Sequence, residues 1–82
     1  MIAVGDRVQV AIRYRARWAH GAAEALDGLT GTVEKLKERE PCVLVRFDAP
    51  APTWSAHQTP PTAHWFDCSE VAELIGSAEV RT

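Results

Sequence analysis

Few residues in this 82-residue chain can do chemistry, so the first question is whether any of them are spaced for catalysis. Nucleophilic catalysis needs an activated nucleophile held beside an oriented base. Ser55 and His57 are close in the sequence, but they lie in a proline-rich segment with no rigid element to hold them. A cysteine with His64 is a second candidate, and the carboxylates Asp67 and Glu70 are a third. We interpret the two carboxylates as a small capping box that opens a tight turn. The sequence therefore predicts a protein that is not an enzyme.

Metal binding is the second chemistry to consider, because the chain has two cysteines and three histidines. One element supplies two ligands when the spacing is Cys-x-x-Cys or His-x-x-x-His, and neither spacing occurs here. We therefore predict no metal and no cofactor. Strand alternation places Cys68 on the inward face and Cys42 on the face opposite Val43. This predicts two free thiols, with Cys68 packed as a small hydrophobic residue.

A basic and aromatic segment, residues 13–20, carries Arg13, Tyr14, Arg15, Arg17, Trp18 and His20. Guanidinium groups beside stacking rings are the ingredients of single-stranded nucleic-acid binding. Alternatively, Tyr14 and Trp18 fold back over the core while the arginines stay solvated or pair with Glu24 and Asp27. We favour this second alternative. The net charge of −2 also weighs against nucleic acid, because proteins that neutralise phosphates are usually far more basic.

The three tryptophans exceed what a core of this size can hold. The inward positions are already filled by Val8, Val10, Ile12, Val33, Val43, Val45, Phe47, Phe66, Val71 and Leu74. The tryptophans therefore either pack as a second small core under the loops or form an exposed apolar patch, which is typical of contact surfaces. We expect a surface that binds a protein partner or a second copy of the chain, built from Tyr14, Arg15, Arg17, Trp18, Trp54 and Trp65.

The elements that must position these residues are short strands. Arg7–Arg13 alternates apolar and polar residues, and Val43–Asp48 is rich in β-branched and aromatic residues, so both are predicted strands. Between them, Val33 and Leu36 are three positions apart. A flat strand would send these two to opposite faces, which predicts a β-bulge or a strong local twist. A charged turn at residues 37–41 completes this central hairpin.

Two long loops separate the strands. In the first, Tyr14–Gly28, helix-forming residues precede a glycine placed to end a helix, which predicts one helical turn. The second, residues 48–62, holds four of the five prolines and is predicted to be irregular. A strand at His64–Cys68, a tight turn and a last strand at Ala72–Ile75 follow. We predict one domain, residues 1–76, and a tail, residues 77–82.

This order of motifs resembles the SH3-like barrels, over roughly residues 4–75. The resemblance is carried by Gly-Asp-Arg-Val at Gly5–Val8, Gly-Leu-Thr-Gly-Thr-Val at Gly28–Val33, Val-Leu-Val-Arg-Phe-Asp at Val43–Asp48, and the closing Phe66, Glu70 and Val71. The chain is similar to the barrels of photosystem I accessory subunit IV and of the ferredoxin–thioredoxin reductase variable chain. It is more loosely similar to the nitrile hydratase β-subunit barrel and to KOW-type modules.

The resemblance implies an all-β fold: a small five-stranded SH3-like barrel with two long loops and a short helical turn before the last strand. It implies a non-catalytic accessory or docking unit, with a KOW-like nucleic-acid-binding module as the alternative. Both loops are long for these families. The Ala-Leu-Tyr-Asp-Tyr type of run found in proline-peptide-binding SH3 domains is absent, so that activity is not carried over.

The sequence also indicates in which cell compartment the protein is expected. No apolar run approaches the roughly 20 residues that cross a bilayer, and the first residues lack the basic and apolar regions of a secretion signal. We therefore expect a cytoplasmic protein without a membrane partner.

Overall fold

The computed structural model describes residues 2–74, which form one antiparallel sheet with little helix. In chain order the elements are β1 (Arg7–Val10), a first 3-10 turn (Arg15–Arg17), α1 (Ala22–Leu26), β2 (Thr30–Leu36), β3 (Val43–Phe47), β4 (Ala63–Phe66), a second 3-10 turn (Cys68–Glu70) and β5 (Val71–Glu73). The all-β prediction is confirmed. Within residues 2–74, no helix is long and apolar enough to cross a membrane.

The strand order across the sheet is β4-β3-β2-β1-β5, and every neighbouring pair is antiparallel. The two edge strands, β4 and β5, are not paired with each other in the described part of the chain. The five strands and the tight turn before the last one are as predicted. The sheet is not closed, so the predicted barrel is not confirmed.

The central hairpin of β2 and β3 contains the predicted bulge. Val33 lies opposite Val45, but the next pair is Lys35 with Leu44, so the register shifts between them. The close approach of the two strands also explains why residue 31 is a glycine. A Cβ atom there would collide with the carbonyl oxygen of Arg46 and lie 2.8 Å from a methyl group of Val45.

The core lies on one face of the sheet. Its buried cluster consists of Val8, Val10, Leu26, Val33, Val43, Val45, Phe47, Ala51, Phe66 and Val71. Two members lie outside the strands: Leu26 in α1 and Ala51 in the loop before β4. Ile12 and Leu74, which were predicted to face inward, are only half-buried.

The first and last strands differ from their predicted bounds. β1 ends at Val10 rather than Arg13, because the backbone N–H of Ile12 turns away from the sheet and donates to the Asp27 carboxylate, 2.9 Å away. β5 begins at Val71, one residue before the predicted start, and ends at Glu73. The predicted end of this strand at Ile75, the domain boundary at residue 76 and the tail at 77–82 lie outside the described residues.

Two long loops connect the strands, as predicted. We call residues 11–29, between β1 and β2, the first loop, and residues 48–62, between β3 and β4, the second loop. The first loop contains α1, and Gly28 follows it with a φ of 84°, in the left-handed region that ends helices. The second loop contains neither helix nor strand. Both loops contact β4, where Trp18 of the first loop and Trp54 of the second pack against His64.

An exposed ion pair holds the start of the second loop to the sheet. Arg7 donates two hydrogen bonds to the Asp48 carboxylate, at 2.6 and 2.7 Å, and the Thr30 hydroxyl donates a third at 2.6 Å. These bonds favour the charged carboxylate, so the hydrogen bond from Arg7, followed by that from Thr30, holds the pKa of Asp48 well below its usual range.

Candidate functional site: an aromatic groove

A groove of about 380 Å³ lies between the two loops and β4. Its walls include Arg17, Trp18, Trp54, His64, Trp65 and Asp67, and we call it the aromatic groove. Four of the six residues predicted to form a contact surface line it: Arg17, Trp18, Trp54 and Trp65. The other two, Tyr14 and Arg15, lie outside its walls.

The His64 ring lies at the centre of a cluster of aromatic side chains in this groove. Its ring centroid is 5.4 Å from that of Trp18 and 6.3 Å from that of Trp54, with Trp54 almost perpendicular to it. It also contacts Phe66, two residues along β4, at 5.5 Å. Burial among these rings lowers the pKa of His64 below the usual 6.5. The neutral imidazole therefore packs as one more ring at neutral pH.

Trp18 is held in place by a buried carboxylate. Glu70 is only 3% exposed, and one of its oxygens accepts three hydrogen bonds: from the backbone N–H groups of Arg13 (3.1 Å) and Tyr14 (3.3 Å) and from the indole N–H of Trp18 (3.3 Å). A buried carboxylate without partners would be costly. Glu70 therefore ties the first loop to the second 3-10 turn.

The capping box predicted for Asp67 and Glu70 is wrong. Neither side chain caps the second 3-10 turn, which begins with a backbone bond from the Glu70 N–H to the Asp67 carbonyl. Three donors on the first loop attract the Glu70 carboxylate instead. Asp67 accepts a hydrogen bond from Arg17, 3.2 Å away. The spacing of the two residues agreed with a local cap, but tertiary contacts decide where the side chains go.

Trp54 is positioned by a bond inside its own loop and by contact with the other loop. The side-chain oxygen of Gln58 accepts from the backbone N–H groups of Trp54 (2.8 Å) and Ser55 (3.3 Å). Gly21, which has a φ of 83°, comes so close that a Cβ there would lie 3.2 Å from the Cβ of Trp54. The two loops therefore meet at this tryptophan.

Trp65 borders the groove from the other face of β4. It lies opposite Leu44 in the β3–β4 pair, and the Lys37 ammonium lies 4.7 Å from its ring centroid. Trp65 is half-buried. The alternation of β4 explains the arrangement, because His64 and Phe66 face the core while Trp65 faces away from it.

The arginines beside the groove already have acidic partners. Arg15 lies 3.0 Å from Glu24 and 3.6 Å from Asp27, as the second sequence alternative expects. Trp18 packs against the core, also as that alternative expects. Tyr14 does not fold back over the core: it is 43% exposed, and the guanidinium of Arg17 lies over its ring at 4.8 Å.

The sequence did not point to His64 or Glu70 as residues of this site. The alternation of β4 was a usable signal for His64, because it shares a face with Phe66. The three bonds to Glu70 join residues that are 52 to 57 positions apart, and no local pattern indicates them. The catalytic candidates Ser55 and His57 are both exposed in the second loop.

A separate cluster brings both cysteines together with Glu40. Both thiols are free, as predicted. The prediction that Cys68 packs inward is wrong: it is exposed in the second 3-10 turn, because β4 ends at Phe66 and strand alternation ends with it. The ligand atoms of Glu40, Cys42 and Cys68 all lie within 4.8 Å of one another, a set that can hold a metal ion.

The thiol of Cys42 is affected by these neighbours. Burial raises the pKa of Cys42, and the nearby Glu40 carboxylate and Cys68 thiol add to the effect, to give a value of about 12. The pKa of Glu40 changes in the opposite direction, because hydrogen bonding with the Cys42 and Cys68 thiols lowers it. The Cys42 thiol is therefore protonated at neutral pH.

No protein-family model, curated protein or solved structure matches this chain.

Proposed function

We propose that this chain is a non-catalytic binding module whose aromatic groove receives an extended, apolar segment of a protein partner. The observation that supports this most is the convergence of Trp18, Trp54 and Trp65, from two loops and a strand, on one groove. Tryptophan is a preferred anchor of protein interfaces because it buries a large area at low cost in side-chain entropy.

The charges around the groove favour apolar side chains over phosphates. Arg17 is paired with Asp67, and the Glu70 carboxylate accepts three internal hydrogen bonds. His64 is neutral at neutral pH because burial lowers its pKa. A phosphate would therefore have to displace Asp67 from Arg17, whereas an apolar side chain needs only contact with the rings.

The position of β4 favours an extended ligand. In the described part of the chain, β4 pairs with β3 alone and lies at the edge of the sheet. An extended segment can add a strand to such an edge through main-chain hydrogen bonds, while its side chains enter neighbouring pockets. The aromatic groove borders this edge through His64 and Trp65.

We also propose that the fold is an SH3-like barrel. The order of five short strands, the two long loops and the 3-10 turn directly before β5 support this assignment. SH3-like barrels host many functions, so the binding proposal depends on the groove and not on the fold.

A displayed library of short random peptides tests the binding proposal. Peptides are selected on the wild-type protein, and those that also bind Trp65→Ala are removed. We expect binders with apolar residues, at least about 10-fold weaker binding to Trp65→Ala as for an interface anchor, and a smaller effect on thermal stability. Tyr14→Ala is the matched control, because it removes an exposed ring outside the groove.

Three results would count against the proposal. One is failure to select any peptide that distinguishes wild type from Trp65→Ala. Another is a collapse of stability in Trp65→Ala with association unchanged. The third is salt-dependent binding of single-stranded DNA or RNA that is lost in Arg15→Ala and Arg17→Ala, which would favour the nucleic-acid alternative. Light scattering that shows a dimer lost in Trp65→Ala would instead identify the partner as a second copy.

A further inference from the structure

The thiol and carboxylate cluster has a defined position in the fold. Cys42 begins the β3–β4 pairing, with its backbone N–H donating to the Phe66 carbonyl at 3.0 Å. Cys68 lies two residues beyond Phe66, in the second 3-10 turn. Glu40 belongs to the hairpin turn that leads into β3. The ladder therefore brings together residues that are 28 positions apart in the sequence.

Hydrogen bonds hold the Glu40 carboxylate against Cys68 and close the turn that carries it. The Glu40 carboxylate accepts from the backbone N–H of Cys68 at 3.1 Å and from its thiol at 3.2 Å. The backbone carbonyl of Cys42 accepts from the Lys37 N–H at 2.9 Å, which closes the turn that carries Glu40. The ligand atoms are thus already collected within 4.8 Å of one another.

We propose that Glu40, Cys42 and Cys68 bind one thiolate-preferring divalent cation, for which Zn²⁺ is the reference, through two sulfur atoms and one carboxylate oxygen. Zn²⁺ binds Cys sulfur at about 2.3 Å and carboxylate oxygen at about 2.0–2.2 Å in a tetrahedron, which sets the ligand atoms about 3.5–3.8 Å apart. The observed spacing, within 4.8 Å, needs only a small contraction around the ion.

The chemistry of the set also favours a cation of this class. Thiolate ligands select soft or borderline ions such as Zn²⁺ over Mg²⁺ or Ca²⁺. Binding replaces the two thiol protons, which leave to solvent, and the hydrogen bond from Cys68 to Glu40 gives way to bonds from both groups to the ion. Three protein ligands leave the fourth position to water or to an external ligand.

A disulfide is the other reaction open to two neighbouring thiols, but it gives Glu40 no role. Glu40 holds both the backbone and the thiol of Cys68, so its carboxylate is an integral part of the cluster. Without an ion the thiols keep their protons, and Cys68 donates its own to Glu40, because two thiolates beside a carboxylate would repel one another strongly. A cation that replaces the two protons is attracted to all three groups, which makes the metal the better match to the cluster.

Zinc titration of the reduced protein, in competition with a chromophoric chelator, tests the site. We expect one Zn²⁺ per chain, and a Co²⁺ complex with thiolate charge-transfer absorption in the near ultraviolet. Loss of an outer-shell group alone costs about 10–100-fold in metal affinity, so Cys68→Ser should weaken binding by at least about 100-fold and Glu40→Gln by at least about 10-fold. Cys68 is exposed, so this variant should keep the fold.

Glu38→Gln is the matched control, because Glu38 is an exposed carboxylate of the same turn but lies outside the cluster. The Glu38→Gln protein should bind Zn²⁺ as tightly as wild type does. The proposal is overturned by a double variant of Cys42 and Cys68 that still binds Zn²⁺, or by a Co²⁺ complex without thiolate absorption. A reduced protein that binds no Zn²⁺ at micromolar concentration and forms a disulfide in air would also overturn it.

Discussion

The two long loops bring one tryptophan each to His64, but they are held by different means. The first loop contains α1 and is fixed by a buried carboxylate that reaches it from the second 3-10 turn. The second loop contains no regular element. Its start is held to the sheet by the exposed Asp48 carboxylate, but the part around Trp54 is held by a neutral side chain, Gln58, and by single backbone bonds such as that from the Ala51 N–H to the Pro61 carbonyl at 2.8 Å.

The two loops, which form the first and second walls of the aromatic groove, should therefore differ in how cooperatively they respond to a substitution. Several donors of the first loop share one acceptor, and the helix buries Leu26 in the core, so the loss of either contact should affect the whole loop. The bonds of the second loop lie at three separate places, at Asp48, at Ala51 and at Gln58, so the loss of one group leaves the others in place. We therefore expect large effects from single substitutions in the first wall and small, local effects in the second.

The largest effect is expected from Leu26→Ala, which removes the main apolar contact of the first loop. Leu26 is fully buried, and truncation of a buried leucine costs about 2–5 kcal/mol. Urea unfolding measures the change in the free energy of unfolding. Leu36→Ala, at a side chain that is 43% exposed, is the control and should cost less than about 0.5 kcal/mol. Equal losses in both variants would show that α1 does not contribute to the core.

The second-largest loss of stability is expected from Glu70→Leu, which removes the buried carboxylate. This change leaves three N–H donors of the first loop without their acceptor. Because these bonds are only part-buried, water can partly replace the carboxylate, and we expect a total cost of about 1–3 kcal/mol, that of one fully buried unsatisfied donor. Glu70→Gln keeps one carbonyl oxygen and should be less destabilising. The indole N–H signal of Trp18 and the exchange of the Arg13 and Tyr14 amides report the loosening of the loop. A glutamine variant no more stable than the leucine variant would contradict the role given to hydrogen bonding.

A smaller effect is expected in the second wall from Gln58→Ala. The change removes the acceptor of the Trp54 and Ser55 N–H groups, and a typical hydrogen bond contributes about 0.5–1.5 kcal/mol. Trp54 fluorescence should change while Trp18 keeps its bond to Glu70. Thr59→Ala, at an exposed neighbour, is the control. A loss as large as that of Glu70→Leu would remove the contrast between the loops.

The smallest effect is expected on the pH dependence of stability, and it comes from His64, which both loops contact. Burial lowers the pKa of His64 below 6.5, so the folded state binds its proton less tightly than the unfolded chain does. Stability is therefore fully present above pH 6.5 and is lost as pH falls toward the lower folded pKa. His64→Gln should flatten this part of the curve of unfolding free energy against pH. An unchanged slope in His64→Gln would contradict this role of His64.

The secondary structure could largely be predicted from the sequence because it depends on neighbours along the chain. The alternation at Val43, Val45 and Phe47 gave the correct inward face of β3. The spacing of Val33 and Leu36 gave the bulge, which the register shift confirms. Gly28 gave the end of α1. Each is a local effect of backbone geometry and side-chain direction.

The candidate sites could be predicted only in part. Four of the six predicted contact residues meet in one groove, because the excess of tryptophan over core positions is visible in the sequence. The roles of Glu70 and of the two thiols were missed. Asp67 and Glu70 have the spacing of a cap, and Cys68 has the phase of an inward residue, but both patterns fail where β4 ends at Phe66.

The strands, the bulge, the irregular second loop and the surplus of aromatic rings therefore follow from local sequence patterns. The contacts of Glu70 with the first loop, the position of His64 between two tryptophans and the meeting of Glu40 with both thiols depend on the folded sheet. Strand and turn preferences act between adjacent residues, whereas Glu40 meets the Cys68 thiol 28 positions away and Glu70 meets its donors 52 to 57 positions away; these residues become neighbours only when the sheet forms.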